Sequence, residues 1–431
     1  MSSQIYSYSD LFQYQKDAVK FLSLRDKSIL RLDTGLGKTA VCINYAKKMN
    51  SIRNILVIAP AFLVGNWERE INMWGGYAQH NINSQGLLVG KINKYWNVLS
   101  YNKSSRNIEE LNKQNYDLII CDEAHYLKSW EAKRTQNIIL KLLTKTRRVI
   151  LSTATPYVRS ALDLHPLYSV CQPGKWGKAS SFAEKYCKKK PNNFKKWKKF
   201  DYYSIKEEMA GELKEKSKEF TYSLSKKNAG IDLPSKLTTN LYIDVNSKYH
   251  LKNLENIEEY YDIEKGKMVG GLTRILSKEA GKLGLAKVDK ALEWIENVDK
   301  EQTLVVFCKH KEVANKLWNN IEGSVVMTGD TPMSERDKIV ARFQNGEIRV
   351  LVCTIGSSGV GITLTKANLC LFVELPWSYT ELKQCEDRLH RIGQNECVNV
   401  YRMITEKTID DLIVNVLNDK ELGEDLSIGG F

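Results

Sequence analysis

No apolar stretch in these 431 residues approaches the roughly 20 residues that a membrane-spanning helix needs. The opening segment, Met1–Asp10, is polar and carries no apolar signal core, which argues against secretion. No C-x-x-C pair occurs among the nine cysteines, so a zinc site of familiar spacing is not indicated. Cys42, Cys121, Cys308, Cys353 and Cys370 fall inside apolar runs, and buried free thiols in a reducing compartment are the expectation. No low-complexity tract interrupts the chain. What remains is the composition of a globular protein long enough for two or three domains, placed inside the cell: nucleus in a eukaryote, cytoplasm in a prokaryote or phage. Acid is also in deficit. Fifty-one Asp and Glu stand against 64 Lys and Arg, and a net charge of +13 suits a polyanionic partner.

The chain is organised around Arg31–Thr39, R-L-D-T-G-L-G-K-T. An apolar run feeds into it and a helix-like run, Ala40–Met49, follows. Strand, glycine loop, Lys-Thr and helix form the arrangement that cradles a nucleotide triphosphate. Thr34, Gly35, Leu36 and Gly37 supply the loop, whose N–H groups face phosphate oxygens beside a helix N-terminus. Lys38 is placed to reach the β- and γ-phosphates and the Thr39 hydroxyl to bind Mg²⁺. The first glycine of G-x-x-x-x-G-K-[ST] is replaced by Leu32. Upstream, Leu11–Leu22 has helical apolar spacing, and Gln15 is either an adenine-reading amide or a solvated helix glutamine.

Apolar strands are expected at Asn54–Ala59, Asn97–Tyr101, Tyr116–Cys121 and Arg147–Leu151, alternating with helices. The third runs into Asp122-Glu123-Ala124-His125. Two carboxylates at the end of a buried strand are costly unless they bind something. We assign Asp122 to Mg²⁺ and Glu123 to the attacking water. The fourth strand ends in Ser152-Thr153-Ala154-Thr155-Pro156, either a link from the hydrolytic side to a second site or an ordinary strand-end turn. Strands alternating with helices make this half a parallel sheet with its ligands at the carboxyl ends of the strands.

Val170–Lys227 holds sixteen lysines and seven acidic residues. Lys185–Lys199 has eight lysines and no acid, with Tyr186, Phe194 and Trp197 interleaved. Lys195, Lys196, Lys198 and Lys199 are candidates for phosphate contacts and the aromatics for base stacking; the alternative is a solvated face of a helical insert. Glu207–Lys227 reads as helical. A strand at Lys236–Val245 and helical stretches to Val298 follow. A second alternating set then offers strands at Leu304–Cys308, Val325–Thr328, Arg349–Cys353, Asn368–Val373 and Val398–Met403, and no G-K-T. Its loop Ile355–Thr365 contains Gly359 and Gly361, whose neighbouring N–H groups could hold a nucleic-acid phosphate or sense ATP. Gln384–Gln394, Q-C-E-D-R-L-H-R-I-G-Q, carries Arg388 and Arg391 three apart on an expected helix, Tyr379–Arg391. They are either surface arginines or the groups that stabilise charge on a departing γ-phosphate. Three regions result: 1–169, an ATP-binding lobe; 170–285, a Lys-rich helical insertion and connection; 286–431, a second lobe.

With these residues laid out, the chain resembles the Swi/Snf-type members of helicase superfamily two. D-T-G-L-G-K-T resembles motif I, A-P-A-F-L-V-G-N-W-E-R-E-I motif Ia and V-L-S-Y-N motif Ib. D-E-A-H is motif II, and S-T-A-T-P resembles motif III. V-V-F-C-K-H-K resembles motif IV, T-I-G-S-S-G-V-G-I-T-L-T-K-A-N motif V, and Q-C-E-D-R-L-H-R-I-G-Q motif VI. Ala154 stands where many relatives have glycine, Ser357-Ser358 where Ala-Gly is usual, and Lys226-Lys227 in place of a basic pair before the leucine-proline turn. The resemblance implies an α/β fold of two RecA-like parallel-sheet lobes in tandem with helical insertions, ATP and Mg²⁺ between them, and duplex DNA across the cleft. It implies that Gln15 reads adenine, that Lys38, Thr39, Asp122 and Glu123 form the hydrolytic set, and that Arg388 and Arg391 are arginine fingers. His125, Thr153, Thr155, Gly359 and Gln384 match positions that couple hydrolysis to DNA. The expected activity is ATP-driven translocation or remodelling on double-stranded or forked DNA, by a monomer, alongside replication, repair or recombination proteins and away from membranes. The compact form looks nearest to annealing helicases or to phage, viral or prokaryotic versions. A strand-separating DNA or RNA helicase, and a nucleotide-gated DNA-binding subunit of a larger complex, are the alternatives.

Overall fold

The computed structural model describes residues 6–75, 78–79, 94–154, 161–191, 200–226, 228–230, 233–246, 261–262, 267–268, 272–358 and 362–428. They form two compact units, Met1–Gly230 with Gly423–Phe431, and Ile231–Leu422. The segment 170–285 is shared between them. No described helix is long and apolar enough to cross a membrane.

The first unit is built on β1 (Lys27–Leu32), β2 (Asn54–Ala59), β3 (Ala78–Gln79), β4 (Tyr95–Ser100), β5 (Leu118–Asp122) and β6 (Arg148–Thr153). A short antiparallel pair, β7 (Lys188–Pro191) and β8 (Phe200–Tyr203), follows, and then β9 (Thr221–Leu224). All strands but that pair join one parallel sheet in the order β3-β4-β2-β5-β6-β1-β9. β2 and β5 are buried almost end to end, which is why they read as unbroken apolar runs rather than alternating ones. The expected helix at Glu207–Lys227 ends at Ser217, and β9 pairs in parallel with β1. T-Y-S-L is too short and too half-buried to announce a strand by itself.

In the core of this unit, Trp130, His165, Tyr168, Trp176, Phe182, Tyr186 and Phe220 pack into an aromatic cluster. Tyr186 is buried there, 4.7 Å from Phe182, so it is core and unavailable for base stacking. His165 Nδ1 accepts from Trp130 Nε1 at 2.8 Å, and Nε2 donates to the Gly177 carbonyl at 3.1 Å. Both nitrogens are used by the neutral ring. Burial accordingly holds His165 below its ordinary 6.5, against the pull of the Gly177 bond. A depressed histidine leaves stability whole above the unfolded value and removes it as pH falls through the folded one. Thermal melts between neutral pH and pH 5 should show the first unit weakening with acid. In His165→Gln, an amide with the same donor and acceptor that does not titrate, that slope should flatten; an unchanged slope would assign it to other groups.

The second unit begins with β10 (Lys236–Tyr242) and a two-residue antiparallel pair, β11 (Tyr261–Asp262) and β12 (Lys267–Met268), where helix was expected. After the helix Leu272–Glu296 come β13 (Leu304–Cys308), β14 (Val325–Met327), β15 (Val350–Thr354), β16 (Leu369–Phe372) and β17 (Val398–Ile404). The parallel order is β10-β17-β16-β13-β15-β14. The helix Leu272–Glu296 lies tight against the end of this sheet at Gly284, where a Cβ would come within 2.4 Å of Glu374 Oε1. Three residues further along it, Lys287 is buried and paired with Asp410. All nine cysteines are free, and Cys187 and Cys385 join the five expected ones in being buried.

Candidate active site

The register of the first sheet assembles the candidate nucleotide site of the first unit. β5, β6 and β1 are neighbours, Asp122 is the partner of Ser152, and Thr153 is the partner of Arg31. The loops that leave their carboxyl ends therefore open side by side. They carry the DEAH run, the S-T-A-T run and the glycine loop.

Leu32 does not need to be glycine. It is the last residue of β1, buried, and the turn proper starts at Asp33. Its carbonyl accepts from Lys38 Nζ at 2.9 Å. Gly35 and Gly37 hold φ of 87° and 74°, a region that side chains rarely adopt. Gly37 is required twice over: a Cβ there would lie 2.4 Å from Gln15 Nε2. Thr39 stands in the first turn of the helix Lys38–Lys48. Thr34 lies in the loop itself, and Leu36 is buried beneath it.

Gln15 is buried on the inner face of the helix Gln13–Ser23, with Ala18, Val19 and Leu22. That removes the solvated alternative. Its Oε1 accepts from the Phe12 N–H at 2.9 Å and its Nε2 donates to the Leu36 carbonyl at 3.1 Å. An amide has two donors and two lone pairs, so one of each is left for a ligand edge beside the loop.

Asp122 closes β5. Oδ1 accepts from the Glu123 N–H at 3.0 Å and from Ser152 Oγ at 3.2 Å; Oδ2 accepts from Trp67 Nε1 at 2.8 Å. Burial, then the neighbouring Glu123 carboxylate, pushes Asp122 up to about 6, while the Trp67 bond and the Lys38 charge pull it down. Glu123 sits at φ 50° and ψ 53°, a left-handed conformation uncommon for a non-glycine residue and a recurrent form of strain at functional sites. His125 Nδ1 lies 3.2 Å from Glu123 Oε2 and 3.4 Å from Thr153 Oγ1, so it bridges the DEAH and S-T-A-T runs. Ala154 is buried and is not among the positive-φ residues, so its place does not demand glycine. Thr155 lies outside the described residues.

A carboxylate and a hydroxyl are hard oxygen donors of the kind Mg²⁺ takes. A buried carboxylate raised by desolvation is also a place where added positive charge is favourable. Asp122 and Thr39 thus fit a divalent cation, and the loop with Lys38 fits the phosphates it would accompany. Among the described residues no cluster of three or more His, Cys, Asp or Glu could hold a metal without such a ligand.

Trp67 and Tyr101 were missed by sequence reasoning. Both are buried: Trp67 in the helix Val64–Met73, and Tyr101 directly after β4. Trp67 donates to the Asp122 carboxylate, and the Tyr101 hydroxyl donates to the Asp122 carbonyl at 2.8 Å. Buried indole and phenol tips seek partners, and that was the available signal.

Three lysines of the Lys185–Lys199 run are paired with glutamates that lie outside it. Lys185 pairs with Glu212 at 2.7 Å, Lys188 with Glu207 at 2.8 Å and Lys189 with Glu184 at 2.9 Å. Lys195, Lys196, Lys198 and Lys199 lie outside the described residues, as do Phe194 and Trp197.

In the second unit the expected helix Tyr379–Arg391 stops at Leu389, so Arg388 and Arg391 do not share a helix face. The chain turns at His390, whose Nε2 bonds the Pro234 carbonyl at 2.8 Å, and Gly393 follows at φ 99°. Arg388 is buried; Arg391 is half-buried and donates to the Ile362 carbonyl at 3.2 Å. Gln384 is half-buried on the helix. Glu386 is a clamp: burial raises it, but Lys236 and Arg402 outweigh that and hold it below the usual carboxylate range. Ser357 uses its hydroxyl on the Met327 and Thr354 carbonyls. Gly359 and Gly361 lie outside the described residues.

The SNF2-related domain matches residues 14–278, and the helicase conserved C-terminal domain matches residues 286–393. The chain belongs to the SNF2-related family. The helicase conserved C-terminal domain falls within the second parallel-sheet unit. Among its relatives, the bovine (Bos taurus) DNA annealing helicase and endonuclease ZRANB3 is 29% identical over 433 residues, covering 95% of this chain and 40% of that protein. TATA-binding protein-associated factor MOT1 of Saccharomyces cerevisiae is 27% identical over 510 residues, covering 94% and 27%. The Sulfolobus solfataricus SWI2/SNF2 ATPase core in complex with dsDNA aligns at a TM-score of 0.45 and 24% identity, covering 98% of this chain and 93% of that one. The chain thus spans 40% of the length of its ZRANB3 relative.

Proposed function

We propose that this SNF2-related chain hydrolyses ATP to ADP and phosphate and uses the cycle to move along or remodel double-stranded DNA. The observation that carries the ATP half is the β5-β6-β1 register, which brings Asp122, Glu123, Ser152, Thr153 and the loop 33–39 to one edge of one sheet. Bound Mg²⁺ would draw charge from the β- and γ-phosphate oxygens. Thr39 and Asp122 would hold it, Lys38 would hold the phosphates, and Glu123 would orient water and take its proton. Gln15 would read the adenine edge. We assign Arg388 and Arg391 to charge on the transferred phosphoryl group on the strength of motif VI alone. The DNA half rests on family membership and on the net charge of +13.

The test is ATP turnover against a panel of duplex, forked and single-stranded DNA and RNA. Duplex or forked DNA should stimulate it many-fold, and a triplex-displacement assay should then show movement. Stimulation greatest with single strands, together with unwinding, would favour a strand-separating helicase. Tight binding of DNA and ATP with slow turnover would favour a nucleotide-gated subunit. No response to any nucleic acid would overturn the proposal.

A further inference from the structure

Asp122 has about four lone-pair positions on its two oxygens. Three are taken. Glu123 N–H and Ser152 Oγ fill Oδ1, and Trp67 Nε1 occupies one position on Oδ2. The one position left for a cation, or for water bound to it, is on the oxygen that Trp67 holds. The carboxylate cannot rotate to present another without giving up a buried bond. Trp67 itself cannot drift: it is fully buried, and its helix Val64–Met73 lies against β4. Nothing in the apolar packing of an indole requires its N–H to meet a carboxylate, and a phenyl ring would fill much of the same core.

We propose that Trp67 is a positioning residue for the metal that accompanies the nucleotide. Its indole N–H selects which oxygen lone pair of Asp122 faces the cation, and Trp67 itself touches neither metal nor nucleotide. This rests on the nucleotide reading above, in which Asp122 is a metal ligand. Outer partners that orient a ligand in this way are worth about 10–100-fold in metal affinity.

The experiment is calorimetric ADP binding to the full chain with Mg²⁺ and with EDTA, for the unaltered protein and Trp67→Phe. For the unaltered protein, ADP should bind more tightly with Mg²⁺ than without. In Trp67→Phe the metal-free affinity should stay put, while the advantage given by Mg²⁺ shrinks by about tenfold or more. Tyr101→Phe, which removes the bond to the Asp122 carbonyl and leaves the carboxylate alone, should keep that advantage. A merely structural role for Trp67 would weaken both forms together, and that result, or an undiminished Mg²⁺ advantage, overturns the proposal. If the unaltered protein shows no Mg²⁺ advantage, the nucleotide reading fails first. Should Trp67→Phe not fold, the unaltered protein labelled with ¹⁵N-tryptophan answers the same question. One buried indole N–H resonance is expected to move when Mg²⁺ joins bound ADP, and none moving overturns the proposal.

Discussion

Glu123→Gln is expected to lower kcat for ATP by about 10²–10⁴-fold, the range a positioned general base supplies, while ATP still binds. The reason lies in what holds the residue in place. Its left-handed backbone is fixed by main-chain bonds: its N–H donates to Asp122 Oδ1, and its carbonyl accepts from the Tyr126 N–H at 2.9 Å. Neither involves the side-chain carboxylate. An amide of the same shape therefore leaves the turn Ala124–Leu127 standing and still offers an oxygen to His125. What it cannot do is accept a proton from water. Phosphate release in the presence of duplex DNA measures the rate, and a fluorescent ATP analogue measures binding. A kcat close to the unaltered protein's would show that Glu123 is not the base, and loss of binding as well would point to a collapsed loop.

The second large effect concerns stability. Lys287→Met should destabilise the second unit by about 3–5 kcal/mol, the cost of breaking a buried ion pair from one side. Lys287 Nζ meets the Asp410 carboxylate and donates to the Val373 carbonyl at 3.2 Å and the Met403 carbonyl at 2.9 Å. Asp410 Oδ2 also accepts from the Thr405 N–H at 2.9 Å. One ammonium thus ties the helix Leu272–Glu296 to the ends of two strands and to the start of the helix Ile409–Ile428. Methionine fills the stem but strands a buried carboxylate and two carbonyls. Lys287→Met with Asp410→Leu should recover much of the loss, because neither charge is then left alone. Urea unfolding gives the numbers. A single-variant loss under about 1 kcal/mol, the scale of exposed pairs, would mean that water reaches the pair.

How far the sequence could be read depended on where information was local. Asn54–Ala59 was bounded to the residue, because a strand buried on both faces is apolar throughout. The glycine loop and the DEAH run stand out for a related reason, their phosphate-binding and carboxylate chemistry being written in adjacent residues; Gln15 stays ambiguous in sequence, because its burial and its bond to the Leu36 carbonyl come from packing 21 residues away. Long-range pairing was not legible. The strand character of Thr221–Leu224 comes from β1, some 190 residues away. The end of the helix at Leu389 depends on His390 finding Pro234. Lys185, Lys188 and Lys189 read as an uncompensated run because their partners Glu212, Glu207 and Glu184 lie outside Lys185–Lys199. Trp67 was hidden in plain apolar spacing, since periodicity reports that a side chain is inside and not what its polar tip touches.

Each sheet is finished by an edge strand whose partner lies far off in the chain. β9 must find β1, and β10 must wait for β17. On a ribosome adding about 5–20 residues per second, the first gap alone lasts about 10–40 s. Both flanks of β1 are open until β6 is made and one stays open until β9 is, and β10 is made long before anything can zip onto it. Vectorial synthesis therefore leaves these two flanks bare longest, and they are where a nascent chain of this protein is most exposed to mispairing and most in need of a chaperone.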